Sequence, residues 1–214
     1  MKTTLLLAAL SASAALADPL ALFNGKDLSG WKIAPFDGGG AVNVISNGIV
    51  ECRSGDPFSG IAYTNAPLTM NYELSLEAQR AEGSDFFIAL TIPVEKSFCT
   101  VIIGGWGGGL CGISSFDHCD ASENQWTECL RLENNRWYTL RVRVTPGVLQ
   151  VFLNKDLYTA RVEYEESSRL SLRFGDIDKT KPLGLATYCT RAYWRDFTLT
   201  RITELLPDDK PRNE

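Results

Sequence analysis

After an opening turn at Asn24-Gly25 the chain is a succession of short runs in which apolar and polar residues alternate, each bounded by Gly, Pro, Asn or Asp. A period of two is the pattern of a strand with one face buried, and helical periodicity is nearly absent. In "RWYTLRVRVT" one face carries Tyr138, Leu140, Val142 and Val144, and the other Trp137, Thr139, Arg141 and Arg143. Pro146-Gly147 turns this run into "VLQVFLN", and Asn154-Lys155-Asp156 turns that into "LYTARVE", which predicts a three-strand meander. Further strands are predicted at "GIVECR", "SGIAYT", "MNYELSLEAQ" and "DFFIALTI", then at "LSLRF", "LGLATYC" and "YWRDFTLTRI". So many short strands exceed what one open sheet holds, so the expected fold is all-β, a two-sheet antiparallel jelly-roll sandwich.

The two ends of the chain change this picture only by subtraction. Lys2 followed by "LLLAALSASAALA" has the charged start, apolar core and small-residue end of a signal peptide, which predicts residues 1–17 as a leader and a secreted or periplasmic product. The apolar run is short and broken by Ser11 and Ser13, so no membrane span is expected. Residues 18–205 are read as a single domain and the charged, proline-containing 206–214 as a loose tail. In "LFNGKDLSGW" the turn leaves Leu22, Phe23, Leu28 and Trp31 as anchors on either side. A net charge of −5 offers no basic field for nucleic acid, so a neutral ligand is the easier partner; oligomeric state is not legible.

Cys52, Cys99, Cys111, Cys119, Cys129 and Cys189 form an even set in an exported chain, which favours disulfides over free thiols. Cys99 and Cys111 lie symmetrically about Gly105, Cys119 and Cys129 would close a loop, and Cys52 with Cys189 is left over. Zinc competes weakly, because no C-x-x-C occurs and His118 is the sole histidine.

Candidate chemistry concentrates between Ser97 and Leu132. Gly104, Gly105, Gly107, Gly108 and Gly109 lie between strands and do not spell a dinucleotide fingerprint, so they read as a hairpin tip. Trp106 in that tip and Trp126 in a loop are candidates to stack on a sugar ring, or to fold back over the sheet. Asp117, His118, Asp120 and Glu123 crowd the segment "DHCDASE", where they could exchange protons with a substrate or simply face solvent. No G-x-S-x-G elbow, EF-hand spacing or E-x-D-x-x-E glucanase strand occurs. No cofactor is expected, although the loop carboxylates leave room for a divalent metal.

The segments "LFNGKDLSGWK", "NVISNGIVEC", "GGWGG…DASEN", "ENNRWYTLRVRV" and "PLGLATYCTRAYWRDFTLTRI" together resemble the 3-keto-disaccharide hydrolase domain family, common in exported bacterial proteins. The resemblance implies a concanavalin A-like jelly roll acting on glycosides oxidised at C3. It departs from the family at "EGSDFFIAL", which lacks the usual arginine, and at "FCTVIIGGW". Asp85 on the first of these, with Asp117, His118, Asp120 and Glu123, is then left as the catalytic set; His118 or Asp120 is the expected base. Trp106, Trp126 and Asn124 are the expected substrate contacts. Hydrolysis of 3-keto-glycosides by elimination and hydration competes with a non-catalytic glycan-binding module and with a disulfide-stapled envelope protein.

Overall fold

The computed structural model describes residues 17–155 and 157–212, with no statement on the side chain of Asn47; the leader expected over residues 1–17 falls almost entirely outside them, as does Asp156 of the meander turn. The strands in chain order are β1 (Leu20–Ala21), β2 (Trp31–Ile33), β3 (Val42–Ile45), β4 (Ile49–Cys52) and β5 (Phe58–Tyr63). There follow β6 (Tyr72–Glu82), β7 (Ile88–Val94), β8 (Ser97–Gly105), β9 (Leu110–Ser114) and β10 (Glu128–Cys129). The last five are β11 (Trp137–Thr145), β12 (Val148–Leu153), β13 (Tyr158–Glu163), β14 (Gly184–Tyr188) and β15 (Arg191–Arg201).

They form two antiparallel sheets. The first has the order β13-β12-β11-β6-β15-β4-β3 with β1 added beside β15, and the second the order β10-β9-β8-β7-β14-β5-β2. This is the jelly-roll sandwich that the alternation predicts. The alternation also sets the register: Tyr138, Leu140, Val142 and Val144 are all fully buried on the inner face of β11. Opposite them β6 presents Tyr72, Leu74, Leu76 and Ala78, and the second sheet contributes Ile88, Leu90, Ile92, Val101, Ile103 and Ile113 to the same core. Trp194 lies inside it at 1% exposure and satisfies its indole N–H on the Phe87 carbonyl at 2.9 Å.

The opening turn is locked by its own side chains. Asn24 accepts from the amides of Lys26 and Asp27, while Asp27 accepts from Ser29 N–H at 2.8 Å and from the Asn24 amide at 2.7 Å. These bonds, to Ser29 first and then Asn24, hold the Asp27 carboxyl down at about 2. The turn thereby delivers Trp31 to the core, where it bonds the Leu22 carbonyl and packs on Tyr63 and Phe197.

Three expectations are corrected. "LSLRF" is not a strand: Leu170 makes one bridge to Phe116, Ser115 and Ser171 exchange backbone bonds, and the chain then leaves as a loop. The described part of the segment after 205, residues 206–212, is not loose. Asp209 is 1% exposed and takes a two-pronged bond from Arg143 at 3.0 and 2.7 Å, while Thr145, Gln150 and Arg161 bond the carbonyls of Asp209, Asp208 and Lys210. Arg143 shares its guanidinium with Glu73 at 2.7 Å. Burial opposes its charge, but the bonds to Asp209 and Glu73 prevail and hold its pKa above the ordinary value.

None of the proposed disulfides is formed; all six cysteines are free thiols. Ile103, not Cys99, lies opposite Cys111, because the β8–β9 hairpin turns about Gly107 and not Gly105; Cys99 faces Ile92 on β7 instead. Burial pushes the thiols of Cys52, Cys99 and Cys111 up to about 12, which keeps them protonated. Cys119, Cys129 and Cys189 are exposed. The expected nearness of the chain regions around Cys52 and Cys189 does hold, since β4 pairs with β15 and Cys189 N–H bonds the Pro57 carbonyl.

Candidate functional site

The second sheet has an unusual outer face. Its strands place large residues inward, but the outward positions form two transverse rows of mostly small ones. One row is Gly60, Ala186, Ala89, Ile102 and Gly112, and the next is Ala62, Gly184, Thr91, Thr100 and Ser114. Small side chains lower the floor and let two loops ride over it. The loop of residues 171–183 sits on it through Ile177 and Thr180, the latter bonding the Thr91 hydroxyl at 2.7 Å. Since the Thr180 proton goes to the Ile177 carbonyl, Thr91 donates to Thr180 and Thr100 to Thr91, an ordered hydroxyl chain. The second loop, residues 117–127, rests on Gly112; a Cβ there would come within 2.8 Å of the Ala121 carbonyl.

Between these loops and the β8–β9 turn lies a cleft of about 500 Å³. It has two ends. At one, Asp120 accepts from Ser114 Oγ at 2.5 Å and from Ala121 N–H at 2.7 Å, and pairs with Arg173 Nη1 at 2.7 Å. At the other, Phe58, Phe86 and Tyr188 form an aromatic floor with ring centroids 5.1 to 6.2 Å apart. Trp106, 44% exposed, and Phe174, wholly exposed, stand at the mouth, and Arg173 reaches back over the Trp106 ring at 5.9 Å.

Trp106 is held in its place by a buried network. Gly107 and Gly108 have φ of +92° and +108° and Trp106 itself +46°, left-handed values that two glycines make affordable to the turn. Arg80, 4% exposed between the sheets, donates to the carbonyls of Gly108, Leu132 and Asp85 and to Asn134 Oδ1. Burial holds its pKa below the usual arginine value. Asp85 spends its carboxylate on the backbone, accepting from Phe86 N–H at 2.8 Å and Gly107 N–H at 3.4 Å.

Of the residues singled out from sequence, the structure brings Asp85, Trp106 and Asp120 to the cleft. His118 is exposed at a tight turn with φ of +66° and lines no part of it. Asp117 beside it is paired with Arg169, whose hydrogen bonds lower its pKa, and Arg169 stacks on Phe116. Glu123 is exposed and closes a turn on Asp120 N–H. Asn124 is a loop brace, its amide spanning the carbonyls of Ile113, Cys119 and Asp120. Trp126 packs against the core, and its carbonyl accepts from Tyr158, so it offers no ring platform in the cleft. Sequence reasoning missed Arg173, Phe174, Phe58, Tyr188, Ser114 and Thr100. Their signal was the recurrence of Gly, Ala, Ser and Thr at alternate strand positions, which marks a face kept low for something to lie on.

Residues 18–200 match the 3-keto-alpha-glucoside-1,2-lyase-like domain family. The chain belongs to that family. Among solved structures it is similar to the carbohydrate-binding module CBM66 from Bacillus subtilis, at 15% identity and a TM-score of 0.54, over 79% of this chain and 94% of that one. A putative glycosyl hydrolase from Parabacteroides distasonis matches at 11% identity and a TM-score of 0.54, over 87% and 94%. The exoplasmic/lumenal domain of VIP36, solved in a Ca2+/Man3GlcNAc-bound form, matches at 12% identity and a TM-score of 0.51, over 86% and 92%. At these identities the likeness establishes the shared sandwich. No curated protein matches the sequence. Among the described residues no group of three His, Cys, Asp or Glu side chains comes together to hold a metal ion, and no helix is long and apolar enough to cross a membrane.

Proposed function

We propose that this carbohydrate-active domain, exported from the cell, binds glycosides oxidised at C3 in the cleft and releases the aglycone by elimination followed by hydration. A C3 ketone acidifies the hydrogen on C2. A base removes that proton, the electron pair forms the C1–C2 double bond, and the C1–O bond breaks with the aglycone oxygen taking a proton. Water then adds, its oxygen to C1 and a proton to C2, giving the free 3-keto-sugar. Such a route needs a base and a positive charge near the developing enolate, without the paired carboxylates of ordinary glycoside hydrolysis.

The observation that carries this reading is the Asp120–Arg173 pair, 2.7 Å apart and lining the cleft of about 500 Å³. Arg173 is mostly exposed, so it is free to swing from the carboxylate to the substrate's C3 oxygen and leave Asp120 to accept the C2 proton. Ser114 keeps Asp120 oriented meanwhile. A second reading, a glycan-binding module, draws support from the occupied state of the cleft carboxylates: Asp120 holds three partners and Asp85 two backbone amides.

The test is release of free 3-keto-sugar from a 3-keto-glucoside by the purified protein. On this proposal Asp120→Asn lowers the rate at least a hundredfold and His118→Ala changes it less than twofold. Retained glycan binding with no turnover by the unaltered protein selects the module instead. An Asp120→Asn variant as active as the parent removes Asp120 as the base.

A further inference from the structure

We propose that the aromatic end of the cleft is an aglycone subsite for a flat aromatic group, so that the glycosides taken here are aryl glycosides. The inference rests on the reading of the cleft as a glycoside site. Strand register supplies the layout: from the row of Thr100 and Ser114 to Tyr188 is four residues along the strands, about 13 Å at ~3.3 Å per residue. That span accommodates two rings end to end, and the two ends differ in chemistry. The Asp120 end offers a carboxylate, the mostly exposed Arg173 guanidinium and the oxygens of Ser114 and Thr100, whose own protons go to Asp120 and Thr91, as partners for the hydroxyls of a pyranose.

The other end offers Phe58, Phe86, Tyr188 and Pro57 below and Trp106 and Phe174 at the mouth. Its two carboxylates are engaged elsewhere, Asp85 by the amides of Phe86 and Gly107 and Asp176 by Lys179 at 2.7 Å. A second sugar placed there would bury several hydroxyls with few partners, at about 1–3 kcal/mol each. A flat apolar ring has no such requirement and gains from stacking. Phe174 sharpens the point, because a phenylalanine wholly exposed at a cleft mouth wastes its apolar surface unless a ligand covers it. Next to it Gly175, with φ of +129° and open space where a Cβ would be, gives the ring freedom to close on a ligand.

Calorimetric titration of the full protein with phenyl α-glucoside, methyl α-glucoside and maltose, and with their 3-keto forms, tests the subsite apart from catalysis. The expected result is phenyl binding at least tenfold tighter than either competitor, narrowing to threefold or less in Phe174→Ala and in Trp106→Ala, with Phe174→Tyr keeping the preference. Phe174 is fully exposed, so its replacement leaves folding intact. Equal affinities, tighter binding of maltose, or no measurable binding of the phenyl compound in either form overturns the subsite. Turnover without aryl preference overturns it while sparing the elimination reading; aryl preference without turnover supports it while that reading falls.

Discussion

The outer faces of the two sheets make opposite uses of the same alternating pattern. On the first sheet the outward positions carry long charged side chains that neutralise one another: Arg141 and Arg143 with Glu73, Arg195 with Glu77, Arg191 with Glu51 and Glu82. Arg195 and Arg141 also lie over the rings of Trp137 and Phe152. This face is filled, and the C-terminal segment is strapped onto it through Asp209. The second sheet carries glycine, alanine, serine and threonine at the corresponding positions, so loops can cross it and leave a cleft. Both faces bound one shared core; what separates scaffold from site is the size of the residues that alternate with the core-facing ones.

The contrast can be broken most forcefully on the filled face. Asp209→Ala leaves Arg143 buried with Glu73 as its one remaining carboxylate, and the expected loss is about 3 kcal/mol, toward the lower bound for breaking a buried pair. Urea unfolding reads that loss, while affinity for a cleft ligand stays within twofold; a large change in affinity would show that the two faces are coupled.

Arg80 is where coupling is expected. It sits on the inner side of β6 yet holds the turn that presents Trp106, so Arg80→Met orphans the Gly108 and Leu132 carbonyls and costs about 2 kcal/mol. In contrast to the strap variant it also loosens Trp106, which increased quenching of tryptophan fluorescence by acrylamide will register. Unchanged quenching would mean that Asp85 alone suffices to hold the turn.

The smallest effect lies in the opening turn, remote from both outer faces. Asp27 is depressed from 3.8 to about 2 in the folded protein by the bonds from Ser29 and Asn24. A depressed carboxyl stabilises the fold above its unfolded value and loses that contribution as pH falls through its folded one. The stability of the protein relative to Asp27→Asn is therefore constant above about pH 4 and shrinks toward zero near pH 2. A difference that persists unchanged to pH 2 would show that the aspartate acts by shape and not by charge.

Much of the scaffold was legible because alternation is a local property. The buried face of β11, the meander through β13 and the anchoring role of "LFNGKDLSGW" all follow from side chains that point to alternate sides of a strand. Of the candidate site, Trp106 was legible as an aromatic residue in a glycine run and Asp85 and Asp120 as loop carboxylates, but Asp85 braces the turn instead of facing a substrate. His118 attracted attention as the sole histidine, and nothing in its neighbours along the chain reveals that it points outward.

The sequence by itself determined that this chain is a sandwich of short antiparallel strands, since period-two hydrophobicity leaves one face of each strand to bury. It determined too, through motifs spread over residues 18–200, the family to which the chain belongs. Only the tertiary structure decided that the "LSLRF" segment would leave the sheet to put Arg173 beside Asp120 and Phe174 at the cleft mouth, 53 positions apart in the first case. It likewise decided that Asp209 would be buried and that the β8–β9 hairpin would turn about Gly107, leaving Cys99 four residues from the partner of Cys111. Pairings of that kind depend on which strands become neighbours and in what register, and no short stretch of sequence holds that information.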